Sequence, residues 1–318
     1  MSDVTLRMML ESYRKSRGFD VEDYLEKKTK LIIDFLNRSG IDACVIAQSG
    51  GIDSALVLYL LHHVMQQPNS PLKKIEPLTI PIYGVAGVTG QELAANDASI
   101  VMKSLGYHPH TVDLGSAYRS IINEDRVINT VDPLAITWAQ GQMASVLRTS
   151  VVYYHAAMLQ AEGFRSLVVG TTNKDEGSYI GFFGKASDEA VDLQPIADLH
   201  KSEVWALSKR LGVPFSVVTK DPRGDVWDNK TDEEMIGAPY WFLELYTLMK
   251  EKTTDGKFPT LRYINLTEED RLNWVKWSVA IEELHSKNAH KYDVGNPAQF
   301  VDVMNRFVPG GWQPQFAK

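Results

Sequence analysis

Apolar residues at Tyr24, Leu25, Leu31, Ile32 and Leu36 recur at roughly helical spacing, so the pattern predicts a helix over Val21 to Asn37 that stops at Gly40. The short apolar run Ala43 to Ala47 then predicts a buried strand, and Ala55 to Met65 resumes with helical apolar density. Leu78 to Tyr83 reads as a second strand, Gln91 to Leu105 as a helix stopped at Gly106, and Thr111 to Leu114 as a third strand after His108-Pro109. This β-α-β-α-β order predicts a parallel sheet with right-handed crossovers.

A long helical pattern from about Thr137 to Ala161 leads into Ser166-Leu167-Val168-Val169-Gly170, a wholly apolar strand of the kind found in the middle of a parallel sheet. A polar, Gly-rich connection (Thr171 to Ala190), a short apolar segment (Val191 to Ile196) and a helix from about Lys201 to Leu211, closed by Gly212 and Pro214, follow. Lys220 to Lys230 is polar and punctuated and reads as a long surface loop. Asp232 to Lys250 and Glu268 to Leu284 are helical, and Ser286 to Tyr292 is basic and polar. No repeat, low-complexity tract or linker divides the chain. The expectation is one α/β domain over residues 1–318, a doubly wound parallel sheet with helices on both faces, with a helical C-terminal part at about 231–318.

Composition narrows the function. With 318 residues and 44% apolar positions, the chain can bury a large core without a disulfide or metal staple. Lys+Arg 33 against Asp+Glu 40 leaves a net charge of −7, which argues against a phosphate backbone as the main partner. The sole cysteine, Cys44, lies in an apolar run, so no disulfide framework or Cys-based zinc site can form. His108 and His110 alternate on one face of an extended segment and, with no third ligand beside them, read as solvent-facing. The N-terminus lacks signal-peptide order, and no stretch approaches the roughly 20 apolar residues of a membrane helix. A soluble cytoplasmic protein with no nucleic-acid or membrane partner is expected.

The strongest chemical signal is Gln48-Ser49-Gly50-Gly51-Ile52-Asp53-Ser54, between a buried strand and a helix start. Two glycines let the backbone approach a ligand closely, Ser49 and Ser54 add hydroxyl donors, and the new helix aims its free N–H groups at the loop. Phosphate suits that place. Asp53 adds a carboxylate able to hold Mg²⁺ against phosphate oxygens. Alone, the segment reads more readily as a tight turn with Asp53-Ser54 capping a helix. It lacks the lysine of Gly-x-x-x-x-Gly-Lys-[Ser/Thr], and in its strand-loop-helix setting it resembles the PP-loop ATP pyrophosphatases, which cleave ATP between the α and β phosphates.

A second series follows in order: Gly170-Thr171-Thr172-Asn173-Lys174-Asp175-Glu176, Gly181-Phe182-Phe183-Gly184-Lys185, Asp188, Asp192-Leu193-Gln194-Pro195-Ile196, and Leu199-His200-Lys201-Ser202-Glu203-Val204. With the loop around Asp225 and the late His290-Lys291, the chain is similar to the NAD synthetases of the ammonia-dependent type over roughly residues 21–292. The resemblance implies an adenine nucleotide alpha hydrolase-like, Rossmann-like fold, a homodimer, and an ATP-dependent amide ligase. Such an enzyme adenylates the nicotinate carboxylate of deamido-NAD, releases pyrophosphate, and lets ammonia displace AMP. It also implies roles. Ser49, Gly50, Gly51, Asp53 and Ser54 would cradle pyrophosphate, and Asp53 and Glu176 would bind Mg²⁺. Thr171, Lys201, Arg148 and Arg223 would contact ATP, whereas Lys185, Asp188, Asp192, His290 and Lys291 would face the dinucleotide. Asp53, Lys185 and Lys201 would carry catalysis. A lysine opening a helix opposes the dipole and so requires an anionic partner.

The sequence departs from the family at four places, one of them Arg223, where the family carries a small hydroxyl residue. Where the family carries Asn-x-Lys-Ala-Arg-x-Arg, this chain has Gln142 to Arg148, keeping Arg148 but placing Ala144 and Val146 where cations are expected. Ser187-Asp188-Glu189-Ala190 replaces a Gly-Asp-Gly-Gly segment, and Tyr83 to Gly90 is Gly-rich where Ser-rich text is expected. These departures leave two alternatives: a related amide ligase acting on a different carboxylic acid, and a non-catalytic nucleotide-binding protein on the same fold. A Cys44 buried in a strand predicts free ammonia, or ammonia from a separate protein, as the nitrogen source.

Overall fold

The computed structural model describes residues 4–84, 90–122, 133–220, 231–252, 266–292 and 299–300. In chain order these form α1 (Val4–Arg17), α2 (Val21–Ser39), β1 (Ala43–Ala47), α3 (Ile52–Met65), β2 (Lys74–Thr79), α4 (Gln91–Ser104), β3 (His110–Thr111), α5 (Gly115–Ile122), α6 (Pro133–Ala161) and β4 (Ser166–Val169). Then come α7 (Lys174–Gly177), β5 (Leu193–Gln194), α8 (Lys201–Leu211), α9 (Phe215–Val218), α10 (Asp232–Ile236), α11 (Tyr240–Glu251), α12 (Glu268–Asn288) and β6 (Gln299–Phe300). Among the described residues no helix is long and apolar enough to cross a membrane.

Six strands pair in the order β3-β2-β1-β4-β5-β6, every pair parallel. The order runs outward from β1 in one direction through β2 and β3, then restarts on its other side with β4. The connections therefore diverge between β1 and β4, and in such sheets the crevice at the carboxyl ends of those two strands takes the ligand. The alternation of β1 explains the two helix layers. Cys44 and Ile46 point into one core with residues of α2, α3 and α8, whereas Ala43 and Val45 point into another with Val152, Ala156 and Leu159 of α6. Cys44 is fully buried, and that burial raises its thiol pKa far above the ordinary range, leaving it an inert core residue.

Several elements differ from the sequence reading. The second strand begins at Lys74, not Leu78, because Lys74 and Glu76 alternate with buried Ile75 and find partners: Lys74 Nζ meets Glu162 and Glu76 meets His155. Backbone pairing still continues past it, with Val112 N donating to Thr79 O and Leu114 N to Pro81 O. The helical stretch after Asp232 is two helices, since Gly237 takes a left-handed φ of 77° and Pro239 caps the next. Finally, α1 and α5 carry no expectation above. Leu6 and Leu10 of α1 pack with Phe242, Leu245 and Met249 of α11 and Trp274 of α12 in a separate helical core. The loop at 221–230 and the segment at 85–89 lie outside the described residues.

Ions sit between the helical and sheet parts. Lys28 of α2 donates to Asp198 Oδ1 at 2.7 Å, Tyr24 OH donates to the same oxygen at 2.8 Å, and Arg17 bonds both Glu203 carboxylate oxygens and Asp198 O. Lys28 and Asp198 are 0% and 1% exposed. Removing one member of such a pair strands a charge in low dielectric, whereas an exposed pair contributes little. Lys28→Met is therefore expected to lower stability by about 3–5 kcal/mol in urea unfolding. Lys27→Met, which breaks only the exposed Lys27–Asp23 contact, should cost under about 1 kcal/mol. Equal losses in the two variants would contradict this reading.

Candidate active site

The Ser-Gly-Gly segment emerges from β1 as a closed cradle. Ser49 N donates to Ser54 Oγ at 3.2 Å, the two hydroxyls lie 3.0 Å apart, and Gly51 N donates to Ser49 Oγ at 3.2 Å. Gln48 braces it from below, its Nε2 donating to Ser54 O at 3.1 Å. Gly50 has φ +80°, and a Cβ there would stand 2.3 Å from Ala94 O, so only glycine fits. Gly51 is the N-cap of α3 and offers no side-chain cap, which leaves the first N–H groups of α3 directed at the loop.

Beside this cradle three charged groups meet. Lys201 Nζ donates to Asp53 Oδ2 at 2.5 Å and to Glu176 Oε1 at 3.2 Å, while Asn173 Nδ2 holds the other oxygen of Asp53 at 3.1 Å. Three chain segments supply them: the first turn of α3, the short helix α7 after β4, and the start of α8. Tyr240 of α11 closes the cluster, donating to Glu176 Oε1 at 2.7 Å, with its ring centroid 4.8 Å from the Lys201 ammonium. Burial opposes the charge of Lys201, yet Asp53 and Glu176 outweigh it and hold its pKa above the ordinary lysine value. Burial raises the Glu176 carboxyl, with Lys201 opposing and Asp53 adding.

The helix that carries Lys201 is fixed from outside. Asp175 accepts from Lys201 N at 2.7 Å and lies 2.7 Å from His200 Nδ1, and Glu203 accepts from His200 N at 2.9 Å. Burial pushes the Asp175 carboxyl up to about 7 and His200 down to about 4, so the imidazole stays neutral at pH 7.

The structure brings Ser49, Gly50, Gly51, Asp53, Ser54, Glu176 and Lys201 to the carboxyl ends of β1 and β4, with Thr171 half-buried just after β4. Arg148 reaches the same edge from α6. It donates to Ile80 O at 2.9 Å and lines a narrow cleft with Ala47, Gln48 and Ser49. Lys220 pairs with Asp97, whose Cβ lies against Gly50, so the chain enters the 221–230 segment beside the cradle. Arg223 itself is outside the described residues.

Lys185, Asp188, His290 and Lys291 form a neighbouring group. Lys185 Nζ donates to His290 O at 2.7 Å, Lys291 Nζ to Gly181 O at 2.8 Å, and Gly184 N to Asp188 Oδ2 at 2.9 Å. Phe182 N donates to Glu176 O at 2.9 Å, which joins this group to the first. Asp192 is placed apart, accepting from Val168 N at 2.7 Å and lining a cavity with Tyr153 and Ser166.

Sequence reasoning gave no role to Asn173, Asp175, Tyr240 or Glu189. The first two lie in the quoted Thr-Asn-Lys-Asp-Glu run, but only the fold shows which carboxylate faces Lys201. Tyr240 is far along the chain and gave no local signal. Glu189 is 4% exposed, and burial pushes its carboxyl up to about 8, with Asp188 adding. Ala144, where a family cation was expected, is fully buried against Ile82 and Tyr118.

Comparison with known proteins gives the family and the fold. The family model described as NAD synthase matches residues 24–294. The NH(3)-dependent NAD(+) synthetase of Methanosarcina acetivorans is 32% identical over 222 residues, 68% of this chain and 78% of that protein. The protein of the same name from Pyrococcus horikoshii is 29% identical over 89% of this chain and 97% of its own length. Among solved structures, an NMN synthetase from Francisella tularensis superposes with a TM-score of 0.65 at 24% identity, covering 86% of this chain and 96% of that one. An NAD+ synthetase from Burkholderia pseudomallei gives 0.60 at 22% identity over 91% and 96%, and both share the fold seen here. A Ser-Gly-Gly cradle at the strand-order reversal, facing a lysine and two carboxylates, within a match spanning residues 24–294, places this chain in the NAD synthase family.

Proposed function

We infer that this chain is an ammonia-dependent NAD synthetase: it joins ammonia to the nicotinate carboxylate of deamido-NAD, using ATP. The observation that carries this reading is the contact of Lys201 with Asp53 and Glu176 at the mouth of the Ser49–Ser54 cradle. A carboxylate is a poor electrophile at neutral pH. Its oxygen attacks the α-phosphorus of ATP, the Pα–O–Pβ bond breaks, and pyrophosphate leaves with that electron pair. Ammonia then attacks the acyl carbon, loses a proton, and expels AMP, leaving the amide.

The residues divide this work by charge. The free N–H groups of α3 and the hydroxyls of Ser49 and Ser54 receive the departing pyrophosphate, with Gly50 and Gly51 allowing its approach. Lys201 remains cationic and screens negative charge as it builds on the bridging oxygen. Thr171, Arg148 and Arg223 complete the ATP contacts, Arg148 from the cleft beside Ser49.

Two carboxylates share one ammonium at this place, and the surplus negative charge, all on oxygen donors, fits Mg²⁺. Asp53 and Glu176 would hold it, and when bound it neutralises phosphate oxygens. Lys185, Asp188, His290 and Lys291 face the deamido-NAD side, next to Glu176 through Phe182. Asp192, set apart beside Tyr153 and Ser166, stands outside this group. Inert Cys44 offers no nucleophile for releasing ammonia from glutamine, which favours free ammonia or ammonia from a separate protein. Exposed Tyr154 and Met158, four apart on α6, support a homodimer through that face.

Purified protein with Mg-ATP and ammonium chloride, with and without deamido-NAD, is expected to give AMP, pyrophosphate and NAD in equal amounts only when the dinucleotide is present. Product formation only with another carboxylic acid, or ATP binding without AMP, would redirect the assignment to the two alternatives. Asp53→Asn is expected to lower turnover by about 100-fold or more while moving the unfolding midpoint little. Undiminished turnover in both Asp53→Asn and Lys201→Ala would remove the site. Lys185→Ala is expected to raise KM for deamido-NAD more than it lowers kcat. An unchanged KM there would take that lysine out of the substrate site.

A further inference from the structure

On the sheet edge away from the cradle, β2, β3 and α6 bring together three donors that lie far apart in sequence. Glu76 Oε1 is 2.7 Å from His155 Nδ1 and 3.8 Å from His110 Nδ1. The two imidazoles meet edge to face with centroids 5.0 Å apart, and one ligand atom from each residue falls within 4.8 Å of the others. The third ligand missing from the sequence around His110 is thus supplied by the fold, twice over. Glu76 and His155 are mostly covered, at 20% and 13% exposure, whereas His110 is 52% exposed and leaves one side open to solvent.

We propose that Glu76, His110 and His155 bind a divalent first-row transition-metal cation of the zinc type. Two imidazole nitrogens and one carboxylate oxygen form a donor set that suits zinc, with a fourth position left for water. Bonds of about 2.0–2.2 Å in a tetrahedron set ligand atoms roughly 3.4 Å apart. The present separations bracket that value: the Glu76–His155 contact opens by under about 1 Å, and His110, on the short edge strand, swings inward. A hydrogen bond alone accounts for Glu76 and His155, but not for the approach of the second imidazole to the same oxygen. Lys74, two residues along the strand on the same face, does not supply the countercharge. Its ammonium meets Glu162 and stacks over Phe164. His108 stands outside this cluster among the described residues.

The site joins three elements. His155 lies seven residues, about 10 Å of helix, beyond Arg148 on α6. A bound cation ties the edge strand to that helix and so fixes the seating of the segment that carries Arg148 to the nucleotide cleft.

Tag-free, chelator-stripped protein titrated with Zn²⁺ against a fluorescent competitor, and with Co²⁺ followed by visible absorption, tests this. One equivalent should bind to wild type and to Asp53→Asn alike. Affinity should fall by roughly tenfold or more in His110→Ala and in His155→Ala. Zn²⁺ should also raise the unfolding midpoint of wild type but not of His110→Ala. His110 is half exposed, so that variant keeps the test valid should His155→Ala misfold. Equal Zn²⁺ affinity in wild type and His110→Ala would overturn the site, as would the absence of a tight equivalent in wild type.

Discussion

A lysine that is only 1% exposed cannot keep its charge unless anions hold it, and here two do. The contact of Lys201 with Asp53 and Glu176 is the constraint from which the arrangement of the site follows. Lys201 opens α8, where the dipole disfavours a cation, so its placement costs energy on two counts. Asp53 comes from the first turn of α3 after β1 and Glu176 from α7 after β4, and their meeting requires those strands to be neighbours. The strand order that makes them so also opens the crevice. Topology and electrostatics specify one place.

The surroundings keep that contact aligned. Asp175 takes the Lys201 backbone N–H and faces His200, and Glu203 closes the same helix end while gripping Arg17. Lys174 pairs with Glu251 of α11 and Arg14 with Glu244, so the charged layer runs from the site into the helical part. Buried ion pairs of this kind add little net stability against an apolar replacement, but each tolerates few alternative dockings. The layer is best understood as setting where α1 and α11 sit, which in turn seats Tyr240 against Glu176.

Much of this was legible in the chain. The apolar run of β1, the two glycines and the following helix predict the cradle directly, because strand, close backbone approach and helix start are each local properties. Gly237 and Pro239 were also readable, yet the apolar density on either side hid the break. What local pattern misreads is compensation at a distance. Lys74 and Glu76 read as non-strand until Glu162 and His155 arrive from α6 to partner them. Asn173 and Tyr240 have roles only through Asp53 and Glu176, which lie 120 and 64 positions away. Arg223 belongs to a segment outside the described residues, so its role rests on resemblance alone.

The altered α6 segment lacks charge at a position where the helix is packed into the core. Ala144 is enclosed by Ile82 and Tyr118, a place where a cation would be stranded in an apolar core. Its substitution therefore follows from how α5 and α6 pack and leaves the cradle's own charges in place. Arg148, on the same helix, keeps a guanidinium at the cleft by donating to Ile80 O and to Gln91. Positive charge near the cradle is carried by Lys201 beside it and by Lys185 and Lys291 across Phe182. Adenylation needs cations where the inner phosphoanhydride breaks, the role proposed for Lys201. Recognition of the acid needs them where the dinucleotide lies, and on the proposed assignment Lys185 and Lys291 meet that need without a cation at position 144.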